Sequence, residues 1–173
     1  MRDGTSLETD LEAERSPRPI RVIGVGNDYR GGDAVGLLVA RRLRERDLPD
    51  VEVLESGGAA DELIAAWQGA RAVILVDAVA AATNRGSILR LNAIAMPVPL
   101  ELFTCSTYAF GVAQAIGLAG ALGMLPPRLT LVGVVGGYWV PGTHFSDEVA
   151  GALPLAEHAV LATIEQMRLA EIR

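Results

Sequence analysis

The sequence predicts an α/β fold, with a twisted, mostly parallel sheet of about five strands between two layers of helices. Two observations carry that prediction. Short apolar, β-branched runs recur along the chain, and segments of helical periodicity separate them. The run AVILV at 72–76 has no polar side chain until Asp77, the pattern of a strand buried on both faces.

Taken in order, IRVIGV at 20–25 reads as a first strand, short and closed by glycine. Residues 33–47 read as a helix: Val35, Val39 and Leu43 recur four apart, while Arg41, Arg42, Arg44 and Glu45 take the wet face. VEVLE at 51–55 alternates as a second strand, followed by a glycine turn and a short helix in SGGAADELIAAW. AVILV is the third strand and GSILRL at 86–91 the fourth. Residues 92–107, with Pro97 and Pro99, read as a long irregular stretch, and loops of that length often serve function. Residues 108–122 read as a helix ending near Gly123, and RLTLVGVV at 128–135 as the last strand. Residues 146–170 are helical in pattern, with Pro154 expected to break or restart the helix. The polar, acidic residues 1–18 are expected to form a disordered tail, and 19–173 a single α/β domain.

Composition narrows the function classes. Half of the 173 residues are hydrophobic, enough for a substantial core, and no apolar run reaches membrane-spanning length. A net charge of −6 argues against a broad nucleic-acid surface. Cys105 is the only cysteine, so no internal disulfide and no cysteine-cluster metal site can form; a reducing, cytoplasmic compartment fits. All 15 basic residues are arginine, which excludes a Schiff-base lysine and a Walker-type phosphate loop.

The stretch VIGVGNDYRGGDAVG at 22–36 poses the main question. A dinucleotide fingerprint would need a third glycine where Tyr29 stands, although Glu55 could serve as its ribose-binding acid. Asp33, at the start of the predicted helix, would repel a pyrophosphate seated there. Asp33 could be a helix cap. Asp77, closing an apolar strand, must be hydrogen-bonded, paired, metal-bound or at the surface. Ligands in such folds bind beyond the carboxyl ends of the strands, where both acids are expected. Two carboxylates near one sheet edge make a metal or acid–base site a fair hypothesis.

Four segments, in order and with compatible spacing, resemble the hydrogenase maturation proteases. GVGNDYRGGDAVG resembles that family's G-x-G-N-x-x-x-x-D-[DE]-x-x-G opening, and ILVDAV at 74–79 its apolar strand ending in aspartate. CSTYAFGVAQAIGLAGALG at 105–123 resembles its S-[ST]-H motif and following helix, and LTLVGVVGG with FSDEV its last strand and final helix start. The resemblance implies a metal-dependent endopeptidase that removes the carboxyl-terminal extension of a nickel–iron hydrogenase large-subunit precursor. It implies Asp33 and Asp77 as metal-binding and catalytic carboxylates, and it puts Tyr108 at the position of the family's metal-binding histidine. Nickel is expected to arrive with the precursor, with zinc or cadmium as surrogates. The large-subunit precursor is the expected partner, with neither nucleic acid nor membrane.

Two departures bear on that expectation. Tyrosine at 108 leaves an oxygen-only set, and a phenol with a reference pKa of about 10 is a poor ligand unless the metal deprotonates it. Gly32 stands where the family usually has another acid. Cys105 and His144 are alternative third ligands, although free cysteine is usually buried and a loop histidine usually solvated. Tyr138 and Trp139 could line a peptide cleft, while His158 reads as peripheral. The departure at 108 leaves a second reading open, a catalytically degenerate paralogue that binds the precursor as a chaperone. Nucleotide binding is the remaining reading and rests on fold analogy.

Overall fold

The structure is a computed structural model that describes residues 18–28, 34–103, 109–136 and 146–170. In chain order the elements are β1 (Ile20–Val25), α1 (Val35–Arg44), β2 (Val51–Ser56), α2 (Ala60–Trp67), β3 (Ala72–Val79) and β4 (Ile88–Asn92). A 3₁₀ turn (Leu100–Phe103), α3 (Ala109–Leu122), β5 (Leu129–Val135) and α4 (Asp147–Leu169) complete them. The sheet order is β2-β1-β3-β5-β4, parallel except for β4, which runs antiparallel to β5.

Strand alternation divides the core in two. Val73, Leu75 and Val79 of β3 face the layer of α2, α3 and the 3₁₀ turn, where Leu63, Trp67, Phe103, Val112 and Ala119 are buried. Ala72, Ile74, Val76 and Ala78 face α1 and α4, against Val35, Val39, Leu43, Val149, Val160 and Ile164. Every residue of β3 is buried, because parallel neighbours flank it and helices cover both faces. The predicted α/β class, with a mostly parallel five-stranded sheet and flanking helices, is the architecture observed.

Two local expectations are corrected. The third strand does not end at Asp77 but runs on to Val79, because β5 continues to pair with it after β1 has stopped at Val76. Pro154 neither breaks nor restarts the last helix, since α4 is continuous through it. The missing proline N–H forfeits one bond at an exposed turn, while the apolar stripe from Val149 to Met167 holds the helix on the sheet. The N-cap of α1 is Ala34, with no side-chain cap, and Asp33, read as a possible cap, lies outside the described residues. Within the stretch read as irregular, residues 100–103 form the 3₁₀ turn, and the N–H of Ala80 donates to the carbonyl of Leu102 at 2.6 Å. The end of α3 matches expectation: Gly123 takes a φ of +68, and the N–H of Met124 donates to the carbonyl of Ala119.

Candidate functional site

The β1–β3 ladder ends at the pair Gly24 and Val76, while β3 and β5 stay paired through Val79 and Val135. Asp77 is the first β3 residue beyond the end of β1. It is only 2% exposed, and by alternation it faces the layer of α2 and α3. Its Oδ1 accepts the N–H of Ala78 at 2.8 Å. In register beside it on β5 stands Gly133, on the same face. A Cβ at Gly133 would come within 2.6 Å of the Val79 side chain, so β5 contributes no side chain next to the carboxylate. A buried acid beside a bare strand position, at the carboxyl edge of a parallel sheet, is a suitable donor for a cation.

The segments that flank the other predicted site positions reach the same edge. Helix α1 starts against the ends of β1 and β3. A Cβ at Gly36 would stand 2.2 Å from the Val76 carbonyl oxygen and 2.3 Å from that of Val25, so only glycine permits the approach. Helix α3 starts against the turn after β2, where a Cβ at Gly111 would stand 1.7 Å from the carbonyl oxygen of Gly58. Before it, the Leu102–Ala80 hydrogen bond fixes the 3₁₀ turn at the end of β3. After β5, the N–H of Gly136 donates to the carbonyl of Val79. Asp33, Cys105, Tyr108, Tyr138, Trp139 and His144 lie outside the described residues. Among the described residues, no three His, Cys, Asp or Glu side chains group as a metal site. His158 is exposed on α4, as expected of a peripheral residue.

Beside this edge lies an open cleft of about 350 Å³, lined by Gly26, Asn27, Asp28, Leu37, Glu55, Ser56 and Gly57. An ion network borders it. Arg41 grips Asp28 through Nη1 at 2.9 Å and Nη2 at 2.7 Å, and meets Glu55 through Nε at 3.0 Å and Nη2 at 2.7 Å. Arg44 adds a 2.8 Å bond to Glu55. The hydrogen bonds from Arg41 hold Asp28 below the usual carboxylate range. Burial pushes Glu55 up, but the bonds from Arg41 and Arg44 outweigh it and leave Glu55 lowered. Arg41 is raised in turn, first by Asp28 and then by Glu55. Glu55, the candidate ribose ligand, is therefore committed to two guanidinium groups.

Sequence reasoning passed over Asp28, Arg41 and Gly133. A lone glycine inside an apolar strand was a usable signal of close approach. The Asp28–Arg41 pair, thirteen residues apart, gave none beyond opposite charge. A second cavity, of about 250 Å³ and lined by Asn92, Arg128, Thr163 and Gln166 among others, lies at the start of β5, the opposite sheet edge from Asp77.

With this geometry established, comparison with known proteins gives a consistent result. A family model described as "HycI: Hydrogenase maturation protease" matches residues 37–163. The chain is 31% identical over 152 residues to the hydrogenase 2 maturation protease of Escherichia coli (strain K12), covering 85% of this chain and 91% of that protein. It is 27% identical over 119 residues to the hydrogenase expression/formation protein HupD of Rhodobacter capsulatus, covering 68% of this chain and 57% of that protein. Its fold superposes on the hydrogenase maturating endopeptidase HybD from E. coli with a TM-score of 0.74 at 28% identity, over 86% of this chain and 93% of that one. The matches run across both halves of the sheet and the helices on both faces. The chain belongs to the hydrogenase maturation proteases and is a hydrolase of the peptidase class.

Proposed function

We propose that this protein is a metal-dependent endopeptidase that removes the carboxyl-terminal extension of a nickel–iron hydrogenase large-subunit precursor. Asp33 and Asp77 hold the metal, and Tyr108 occupies the third ligand position. The observation that carries the reading is Asp77, a nearly inaccessible carboxylate beyond the end of β1, with Gly133 bare beside it. The Ala78 N–H already offsets part of the cost of burying this charge, and a cation at the edge would offset more. The donor chemistry fits a divalent ion, because two carboxylates supply the compensating negative charge. The metal, nickel carried by the precursor or zinc or cadmium in its place, would polarise the scissile carbonyl and lower the pKa of an attacking water.

The chain's own residues do the rest. The glycines at 24 and 36 bring the start of α1 onto the ends of β1 and β3, the edge at which Asp77 lies. The cleft at Gly26–Asp28 and Glu55–Gly57 offers an open path for an extended peptide toward that edge. The partner is thus a protein whose carboxyl-terminal tail reaches the sheet edge.

The test is cleavage of the precursor followed by mass, with Asp33→Asn and Asp77→Asn beside wild type. Each amide keeps the size and loses the charge that holds a cation, so each variant is expected to stay folded and lose most of its cleavage. Unimpaired cleavage by both variants contradicts the metal-carboxylate mechanism. If wild type binds the precursor and leaves it intact, the chaperone reading replaces the proposal.

A further inference from the structure

We infer that the outer edge of β2 is a docking strand for the substrate: the precursor's extended tail pairs with the main chain of Val53 and Glu55 before it crosses the cleft to Asp77. This mode of binding rests on the reading that the substrate is a carboxyl-terminal tail cut at the Asp77 edge.

The sheet ends on one side at β2, which pairs only with β1. In a parallel pair, alternate residues of a strand bond the neighbour. The N–H of Ile20 donates to the carbonyl of Asp50 and that of Gly26 to the carbonyl of Ser56, so the even-numbered residues of β2 face β1. Val51, Val53 and Glu55 therefore turn their main chain outward. Val51 is used locally, its N–H donating to the carbonyl of Leu48. Among the described residues, nothing bonds the N–H of Val53 or either main-chain group of Glu55. The Val53 carbonyl meets only Arg44 Nη2, at 3.4 Å, longer than an ordinary N–H···O bond and readily exchanged for a better donor. Such an edge is a ready template for another strand, and added strands gain affinity from the main chain whatever their sequence.

The place of this edge names its occupant. Glu55, Ser56 and Gly57 line the open cleft, so a strand lying along β2 runs directly into it. An added strand would lie three strand spacings from β3, about 14 Å, which about four extended residues cover. The other outer strand, β4, lacks such an exit. At its start a Cβ on Gly86 would stand 2.6 Å from the carbonyl oxygen of Glu148, so α4 closes that end. At its far end the Asn92 carbonyl already accepts the N–H of Met96.

The experiment is residue-resolved amide exchange by NMR on the full chain, with and without a synthetic peptide spanning the precursor's cleavage site. At saturating peptide, Val53 and Glu55 should exchange at least about 10-fold more slowly, as expected when a solvated N–H gains a main-chain partner. Leu54 and Ser56, already bonded to β1, and Ile88 and Arg90 on β4 should not change. Methylating single main-chain nitrogens of the peptide should weaken it only at alternate positions, because successive N–H groups of a strand point to opposite sides. Val53→Pro, which an edge strand tolerates, should weaken the peptide about 10-fold. If that variant does not fold, the methylated peptides decide. Asp77→Asn should keep the protection, since pairing does not use its carboxylate. Absence of peptide binding, unchanged exchange at Val53 and Glu55, or methylation losses without alternation overturns the docking strand. Protection of both amides in a dimer without peptide puts a second copy on the edge and overturns it too. Precursor cleavage without protection removes the docking strand alone. Protection without cleavage keeps it and removes the metal-carboxylate mechanism.

Discussion

A missing methyl group decides where α1 can start. At Gly36 a Cβ would overlap the carbonyl oxygens of Val25 and Val76, so Gly36→Ala must push the helix off the ends of two central strands. The expected cost is about 1–3 kcal/mol, as for overpacking elsewhere in protein cores. That corresponds to a fall of very roughly 2–12 °C in Tm at this chain length, with cleavage lost more completely than stability. Retained cleavage in Gly36→Ala would show that the approach of α1 to β3 does not set the site. Charge at this scale gives a pH signature. Asp28 and Glu55 have folded pKa values below their ordinary ones, so the stability they contribute is present above the ordinary carboxylate range, about pH 4. It is lost as pH falls through the lowered values. In acid titrations of stability, Arg41→Met should flatten that part of the profile; an unchanged acid limb would mean the network contributes nothing to folding. Tyr108→His tests the third ligand position. Imidazole suits nickel and zinc better than a neutral phenol, so affinity should rise about 10-fold or more. A folded variant with unchanged affinity for both metals would show that residue 108 is not a ligand.

Elements show what the sequence could and could not reveal. The strands were legible because each is a short β-branched run ended by a turn residue, and β3 was plain from its unbroken apolar face. Its end was not. Asp77 looks terminal in one dimension, but β5 lies beside it for three residues after β1 has stopped, and pairing partners are not written in a single strand. Pro154 misled in the opposite way. Local propensity argued for a break, while the burial of Val149, Ala152, Ala156 and Val160 on the sheet kept α4 whole. Pro154→Ala should therefore stabilise, by about 1 kcal/mol, since it restores one helical hydrogen bond at an exposed position. A lower Tm would mean that proline's restriction of the unfolded chain outweighs the lost bond. Of the residues proposed for the site, Asp77 drew attention through its position after an apolar run, and its burial accords with that position. The Arg41 clamp escaped because its partners meet only when α1 folds back over the ends of β1 and β2.

At the scale of the whole molecule, the parallel topology gathers separate parts of the chain at one edge. The ends of β1, β2, β3 and β5 all lie there, because parallel strands finish on the same side. Among the described residues, no helix is long and apolar enough to cross a membrane. The cavity at the opposite edge shares no residue with the cleft beside Glu55, so ligand binding there should leave cleavage unaffected. The proposed site holds one metal ion between Asp33 and Asp77. A zinc-soaked crystal measured at the zinc absorption edge would locate that ion. An anomalous peak is expected about 2 Å from a carboxylate oxygen of each residue, the distance of a zinc–oxygen bond. A peak elsewhere, or carboxylates more than about 10 Å apart around an empty edge, would contradict it, because one ion cannot span that gap.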